Sequence, residues 1–285
     1  MHIAIASGKG GTGKTTVAVA LALALSRDRQ VTLVDADVEE PNDAFFLSLA
    51  GYEEKKAFVP AFSVVEHRCS GCGRCARSCR FNAVAFVGGK PLFFPELCHG
   101  CGGCLRACPV NAIDESTREH GVIFQAYRKN MSFIGARLHV GEAMAVPLIR
   151  TVKAQAPQSD VTVVDCPPGN ACPMIAAIHQ ADAVLLVAEA TPFGLHDLSL
   201  AVMTMRSAGM PFSVIVNRQG CGDDRVREYC IKEKIPVIGT ITDNKTVAEL
   251  YAAGQTPYGN DPGFTDEIET IAAAIRTENI PCANS

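Results

Sequence analysis

Short apolar runs separated by longer mixed segments set the rhythm of this 285-residue chain. His2–Ala6 is a short apolar run of strand length, and a Gly-rich turn leads from it into an apolar-rich stretch, about Lys14 through Leu25, of helical length. Val31–Val34 is a second strand and closes on Asp35 and Asp37. Later runs at Val161–Val164 (ending at Asp165), Ala183–Ala188, Phe212–Val216 and Val237–Gly239 repeat the strand pattern. Helical patterns lie near Ala143–Gln155, Leu195–Ala208 and Asp224–Lys232. Near-continuous apolar strands are expected where both faces of a sheet are covered, and strand–helix alternation marks βαβ units. Val122–Leu138 alternates instead and suggests a hairpin. From about Phe62 to Thr117 the rhythm gives way to Cys, Gly and Arg. The pattern predicts a doubly wound, mostly parallel α/β domain in two parts, 1–61 and 119–285, split by a small inserted domain at 62–118.

Composition narrows the function classes. The chain is 48% apolar and 20% charged with a formal net charge of −4, so no global basic field recommends nucleic acid as a partner. The apolar stretches are too short to span a bilayer, and the N-terminus lacks the charged start and long apolar run of a signal peptide. The expectation is a cytoplasmic protein with no membrane partner. Thirteen cysteines is a high count, and eight of them fall between Cys69 and Cys108. Scattered buried thiols would explain Cys221, Cys230 and Cys282, but not eight in forty residues.

Gly8–Thr15 fits G-x-x-x-x-G-K-[ST] between a strand and a helix, which is the context that this phosphate-binding loop requires. Glycines let backbone N–H groups turn toward phosphate oxygens, Lys14 reaches the β- and γ-phosphates, and the Thr15 hydroxyl ligates Mg²⁺. The string KGGTGKTT, with its second lysine Lys9, resembles the deviant Walker A motif of the MinD/ParA/nitrogenase-iron-protein group of P-loop ATPases. The resemblance implies an ATP-sandwich dimer in which Lys9 acts across the interface. It also makes Asp35-Ala36-Asp37 and the following Glu39-Glu40-Pro41-Asn42 similar to switch I, with Asp37 positioning the attacking water or Mg²⁺. Asp165-Cys166-Pro167-Pro168-Gly169 resembles switch II, where Asp165 would serve Mg²⁺ and the Gly169 N–H the γ-phosphate. Asn217 matches an adenine-contacting asparagine. The ATP and Mg²⁺ set implied is therefore Gly8, Lys9, Gly10, Gly11, Thr12, Gly13, Lys14, Thr15, Thr16, Asp37, Asp165, Gly169 and Asn217. Asp35 alone could be a helix cap.

The inserted segment repeats itself. Cys69, Cys72, Cys75 and Cys79 recur 29 residues later as Cys98, Cys101, Cys104 and Cys108, and Asn82-Ala83-Val84 recurs as Asn111-Ala112-Ile113. C-x₂-C-x₂-C-x₃-C is the spacing of bacterial [4Fe–4S] ligation, and in two-cluster ferredoxins the fourth cysteine serves the other cluster. The expected sets are Cys69, Cys72 and Cys75 with Cys108, and Cys98, Cys101 and Cys104 with Cys79. The segment thus resembles a small α+β two-[4Fe–4S] ferredoxin, with one departure: Cys108 is followed by Pro109 but Cys79 by Arg80. Zinc also takes paired C-x₂-C units, but needs two separated pairs for a tetrahedral site. His67 and His99 read as surface residues. Cys172-Pro173 follows switch II, where relatives of the nitrogenase iron protein hold a cluster shared between subunits. That resemblance offers Cys172, with Cys166 left open, as a ligand of a further bridging cluster.

Three functions fit these features: an ATP-driven electron carrier, an ATP-dependent cluster assembly factor, and a positioning ATPase with structural or redox-sensing clusters. The first two call for a redox or metal-cluster partner, and the dimer could be of identical chains or of paralogues. The third is disfavoured because Glu267–Ile280 is not basic and does not resemble a membrane-targeting helix.

Overall fold

The computed structural model describes residues 1–47, 51–277, 280 and 282. In chain order its elements are β1 (His2–Ala6), α1 (Lys14–Leu25), β2 (Val31–Asp35), α2 (Asp43–Phe46), β3 (Glu53–Val64), α3 (Arg74–Ser78), β4 (Val84–Val87), β5 (Lys90–Phe93), α4 (Gly103–Ala107), β6 (Ile113–Arg128) and β7 (Met131–Leu138). Then follow α5 (Ala145–Ala154), β8 (Val161–Asp165), α6 (Cys172–Ile178), β9 (Ala183–Glu189), α7 (Pro192–Ala208), β10 (Phe212–Gln219), α8 (Arg225–Lys232), β11 (Val237–Thr242), α9 (Lys245–Ala252) and α10 (Pro262–Arg276).

One nine-stranded sheet runs β11-β10-β9-β1-β8-β2-β7-β6-β3. From β11 to β7 every neighbour is parallel, and β6 and β3 extend the edge antiparallel. β2 and β8 are buried at every position, as strands covered by helices on both faces must be. The α/β class with a mostly parallel sheet is as the pattern predicts. Each face has its own core. Leu148, Ile149 and Val152 of α5 pack with Met174, Ala177 and Ile178 of α6 on one side. Leu21 and Leu25 of α1 pack with Ile268, Ile271 and Ile275 of α10 on the other.

The expected hairpin is longer than its alternating stretch. β6 begins at Ile113, and beyond Gly121 it pairs with β3 all the way to Val64. This ladder carries the inserted segment away from the main sheet and crosses the expected boundaries near 61 and 118. On β6 the stretch Asp114–Thr117 is exposed and polar and has no apolar alternation to betray it. At its far end α3, α4 and the two-stranded β4–β5 sheet surround a small core of Phe62, Cys75, Val84, Cys104 and Ile113. No described helix is long and apolar enough to cross a membrane.

Candidate functional site

Parallel strands deliver their C-terminal ends to one edge of the sheet, and the loops there form a cleft of about 370 Å³, a size suited to a small ligand. The loop between β1 and α1 forms one wall. Gly13 has φ of +88° and lies so close to Asn217 that a Cβ would stand 2.2 Å from the amide nitrogen. Gly8 packs as tightly on the Asp197 carbonyl of α7. Gly10, Gly11, Lys14, Thr15 and Thr16 line the cleft. The Thr12 hydroxyl is buried and has no hydrogen-bond partner. Such a loop of turned glycines at a helix start, with open backbone facing a cleft, suits phosphate.

Asp165 is the hub of this wall. Its carboxylate accepts from Lys14 Nζ at 2.8 Å and from the Thr15 hydroxyl at 2.7 Å. Burial acts to lower the Lys14 pKa, but the Asp165 charge and hydrogen bond outweigh it and hold the ammonium above its ordinary value. Asp35 accepts backbone N–H from Asp37 and from Asp43, at 3.1 and 3.2 Å, and so ties the first residue of α2 back to the end of β2, while the helix N-cap itself is Asn42. Asp37 lines the cleft, and burial pushes its carboxyl up to about 6.

Asp43 is a feature the sequence reading missed. Its carboxylate is wholly buried without a hydrogen-bond donor, and it clusters with Asp35 and Asp165, ligand oxygens all within 4.8 Å of one another. Burial first, and then the neighbouring carboxylates, raise Asp35 and Asp43 well above the ordinary range. No spacing rule marks Asp43, because the chain brings it back to β2 only by the turn of residues 38–42.

Lys9 lies within its own chain's reach of two acids: Glu189 at 3.1 Å and Asp197 at 3.9 Å. Glu189 ends β9 and also holds Arg218 at 2.7 Å, so a third acidic strand end belongs to this site. The logic that found Asp35 and Asp165 could have found it. Asn217 donates to the Thr12 carbonyl at 2.7 Å and so braces the loop while lining the cleft. The Gly169 N–H bonds the Ser7 carbonyl at 3.0 Å, with φ of +91°. The loop Thr242–Asn244 with Val247 and Tyr251 of α9 forms the far end of the cleft, and sequence pattern gave no sign of it.

The eight inserted cysteines fall into two cavities. Cys69, Cys72, Cys75 and Cys108 line one, and Cys79, Cys98, Cys101 and Cys104 line the other. The Ala112 N–H points at Cys108 Sγ, 3.1 Å away, and the Gly100 N–H at Cys98 Sγ, 3.4 Å away. Burial raises the Cys75 and Cys98 thiols and pushes Cys104 up to about 11, whereas the Arg74 N–H lowers Cys72. His67 is exposed, as expected. His99 is not a plain surface residue, because its ring stacks on Phe81 with centroids 3.7 Å apart. Cys166 is buried in the main core with its thiol pushed up to about 12, which makes it inert, while Cys172 is exposed at the start of α6.

An uncharacterised protein of Methanocaldococcus jannaschii, MJ0579, is 27% identical over 276 residues, covering 94% of this chain and 96% of its own. A second from the same organism, MJ0578, is 29% identical over 222 residues, covering 77% and 79%. Among solved structures, the cell division ATPase MinD of Pyrococcus furiosus superposes with a TM-score of 0.61 at 20% identity, over 97% of this chain and 98% of that one. The septum site-determining protein MinD of Pyrococcus horikoshii, in complex with Mg-ADP, gives 0.60 at 18%, over 96% and 95%. Residues 3–258 match the CobQ/CobB/MinD/ParA nucleotide binding domain, and the chain belongs to that family of nucleotide-binding proteins.

Proposed function

We propose that this chain is a dimeric, Mg-ATP-hydrolysing iron–sulfur protein that couples its nucleotide state to electron transfer through two [4Fe–4S] clusters to a partner protein. The observation that carries the reading is the partition of eight cysteines into two cavities. Each takes three thiols from one loop and a fourth from the other repeat, the crosswise set that two-cluster ligation needs. Bound clusters would supply one-electron chemistry. The chain's own contribution is the thiolate sets, the N–H groups aimed at sulfur, and the apolar lining that excludes water.

In the nucleotide cleft, Lys14 and Thr15 both spend their polar ends on Asp165. Triphosphate would offer Lys14 a stronger anionic partner, and the freed Asp165 carboxylate and the Thr15 hydroxyl are the groups that would hold Mg²⁺. Asp37, on the rim of the cleft, orients the attacking water. Lys9 leaves Glu189 and Asp197 to reach the nucleotide of a second chain, identical or paralogous. Cys172 is the exposed thiol, seven residues beyond Asp165, that a cluster bridging the two chains would use.

Anaerobically purified protein is expected to hold about eight iron atoms per chain, four for each cluster. Iron near zero with bound zinc overturns the cluster reading. EPR of the reduced protein with and without Mg-ATP tests the coupling. Spectra and partner reduction rates indifferent to nucleotide would remove electron transfer. Substoichiometric iron that passes to an acceptor apoprotein would mark cluster assembly instead.

A further inference from the structure

We propose that the cavity of Cys69, Cys72, Cys75 and Cys108 is the docking end of the inserted segment, and that it receives an acidic one-electron carrier protein. The proposal rests on the iron–sulfur reading above and names the electron donor that would load the two clusters before they reduce that reading's partner.

The two repeats share a cysteine pattern but not a charge. Residues 66–92 carry Arg68, Arg74, Arg77, Arg80 and Lys90 against Glu66 alone, a local net of +4 in a chain of net −4. Residues 93–117 carry Arg106 against Glu96, Asp114 and Glu115, a net of −2. All five cations of the first repeat are exposed. Lys90 pairs with Glu66 at 2.9 Å, Arg68 lies 3.7 Å from Asp114, and Arg77 donates to the Cys72 carbonyl at 3.0 Å. Arg74, between the first-cavity residues Gly73 and Cys75, has no acidic partner among the described residues, so its field is free to act on a visitor, whereas Arg80 lies between Cys79 and Phe81 of the second cavity.

Beside the first cavity the surface is also apolar. Phe86 and Val110 line the first cavity and are exposed, and Val87 and Leu92 are exposed on the other face of the β4–β5 hairpin that carries Phe86. An apolar centre allows close approach while surrounding charge steers encounter and sets orientation. A phosphate-rich polymer would use the charge but not the apolar centre.

The second cavity sits on the inner side. His99 and Gly100 lie against Pro60, Pro147 and Arg150, with Arg150 donating to the His99 carbonyl at 3.3 Å and Arg118 to the Pro95 carbonyl at 3.2 Å. No side-chain hydrogen bond or ion pair joins residues 66–92 to the chain outside 62–118 among the described residues. The order is therefore nucleotide domain, second cavity, first cavity, partner. In the transfer, one electron leaves the reduced centre of the carrier and enters the first cluster; no bond forms or breaks and no proton is required.

The test uses the full-length, iron-loaded chain and an acidic [2Fe–2S] ferredoxin. The dithionite-reduced carrier is followed by stopped flow, and binding of the oxidised carrier by calorimetric titration. The rate constant should fall about tenfold between 50 and 500 mM NaCl, and about tenfold at low salt in Arg74→Glu, Lys90→Glu, with the dissociation constant weakening in step. A control of equal charge change elsewhere, Arg128→Glu with Lys232→Glu, should stay within about twofold. Iron is counted in every protein, and if charge reversal lowers it the neutral pair Arg74→Gln, Lys90→Gln replaces it, with a smaller loss in the same direction. Full iron with no effect of salt or variant overturns the docking proposal alone, as does an equal effect of the control pair. Retention of a single-stranded DNA oligonucleotide by this island, with carrier kinetics unchanged, also overturns it. Iron near zero in the unaltered chain removes both readings.

Discussion

Lys14 is the cation paired with a knot of buried carboxylates, Asp35, Asp43 and Asp165. Removing it leaves acids in a low-dielectric site with no counter-charge, which typically costs on the order of 3 kcal/mol. Lys14→Ala should abolish ATP hydrolysis and also lower the melting temperature of the nucleotide-free chain. The melting deficit should shrink on acidification, because Asp35 and Asp43 can then be carried as neutral acids; a deficit equal at pH 5.5 and 7.5 would contradict this. Asp37 sets a second pH dependence. Its folded pKa of about 6 exceeds the ordinary 3.8, so the folded chain holds a proton that the unfolded chain has released. Its contribution is fully present below 3.8 and is lost as pH rises to about 6. Asp37→Asn should flatten this part of the stability profile in thermal melts without metal. For Lys9, Glu189→Gln weakens the hold of its own chain, and ATP-dependent dimers should form at severalfold lower protein concentration by sedimentation.

At the scale of elements, α10 shows how packing settles what the amphipathic pattern leaves open. Phe264, Ile268, Ile271 and Ile275 are buried, and the helix lies on α1 and β11. The apolar face of this helix is spent on the core. Ile271→Ala should destabilise the chain by about 2–5 kcal/mol in urea unfolding, the usual cost of deleting a buried isoleucine. The β3–β6 ribbon was only half legible. On β6 the stretch Asp114–Thr117 is exposed and polar and carries no period, while the facing part of β3 toward Val64 is mostly apolar with Ala57, Val59 and Phe62 buried, and its exposed charges lie at Glu53–Lys56 instead. The cysteine loops were legible throughout, because ligand spacing is a local constraint that no distant contact can relax.

For the whole molecule, the crosswise cysteine sets give the sharpest prediction. Cys108→Ser should disturb the cluster of Cys69, Cys72 and Cys75, and Cys79→Ser that of Cys98, Cys101 and Cys104. Each should reduce iron from about eight toward four per chain and alter a different one of two EPR signals. If each variant instead altered the signal of its own repeat, the pairing would be local rather than crossed.

What the sequence determined by itself was whatever depends on near neighbours: the glycine loop, the strand-end acids Asp35 and Asp165, the apolar strands, and the thiol spacing. These follow from backbone sterics and from side-chain period, which act over a few residues. Tertiary structure decided the rest. It buried Asp43 beside Asp165, set Lys9 on Glu189 and Asp197, turned Asn217 onto the Thr12 carbonyl, and mounted the second cysteine cavity against α5 with the first turned outward. Those contacts join residues about 120 to 205 positions apart in the nucleotide cleft, and only the closing of the parallel sheet supplies them.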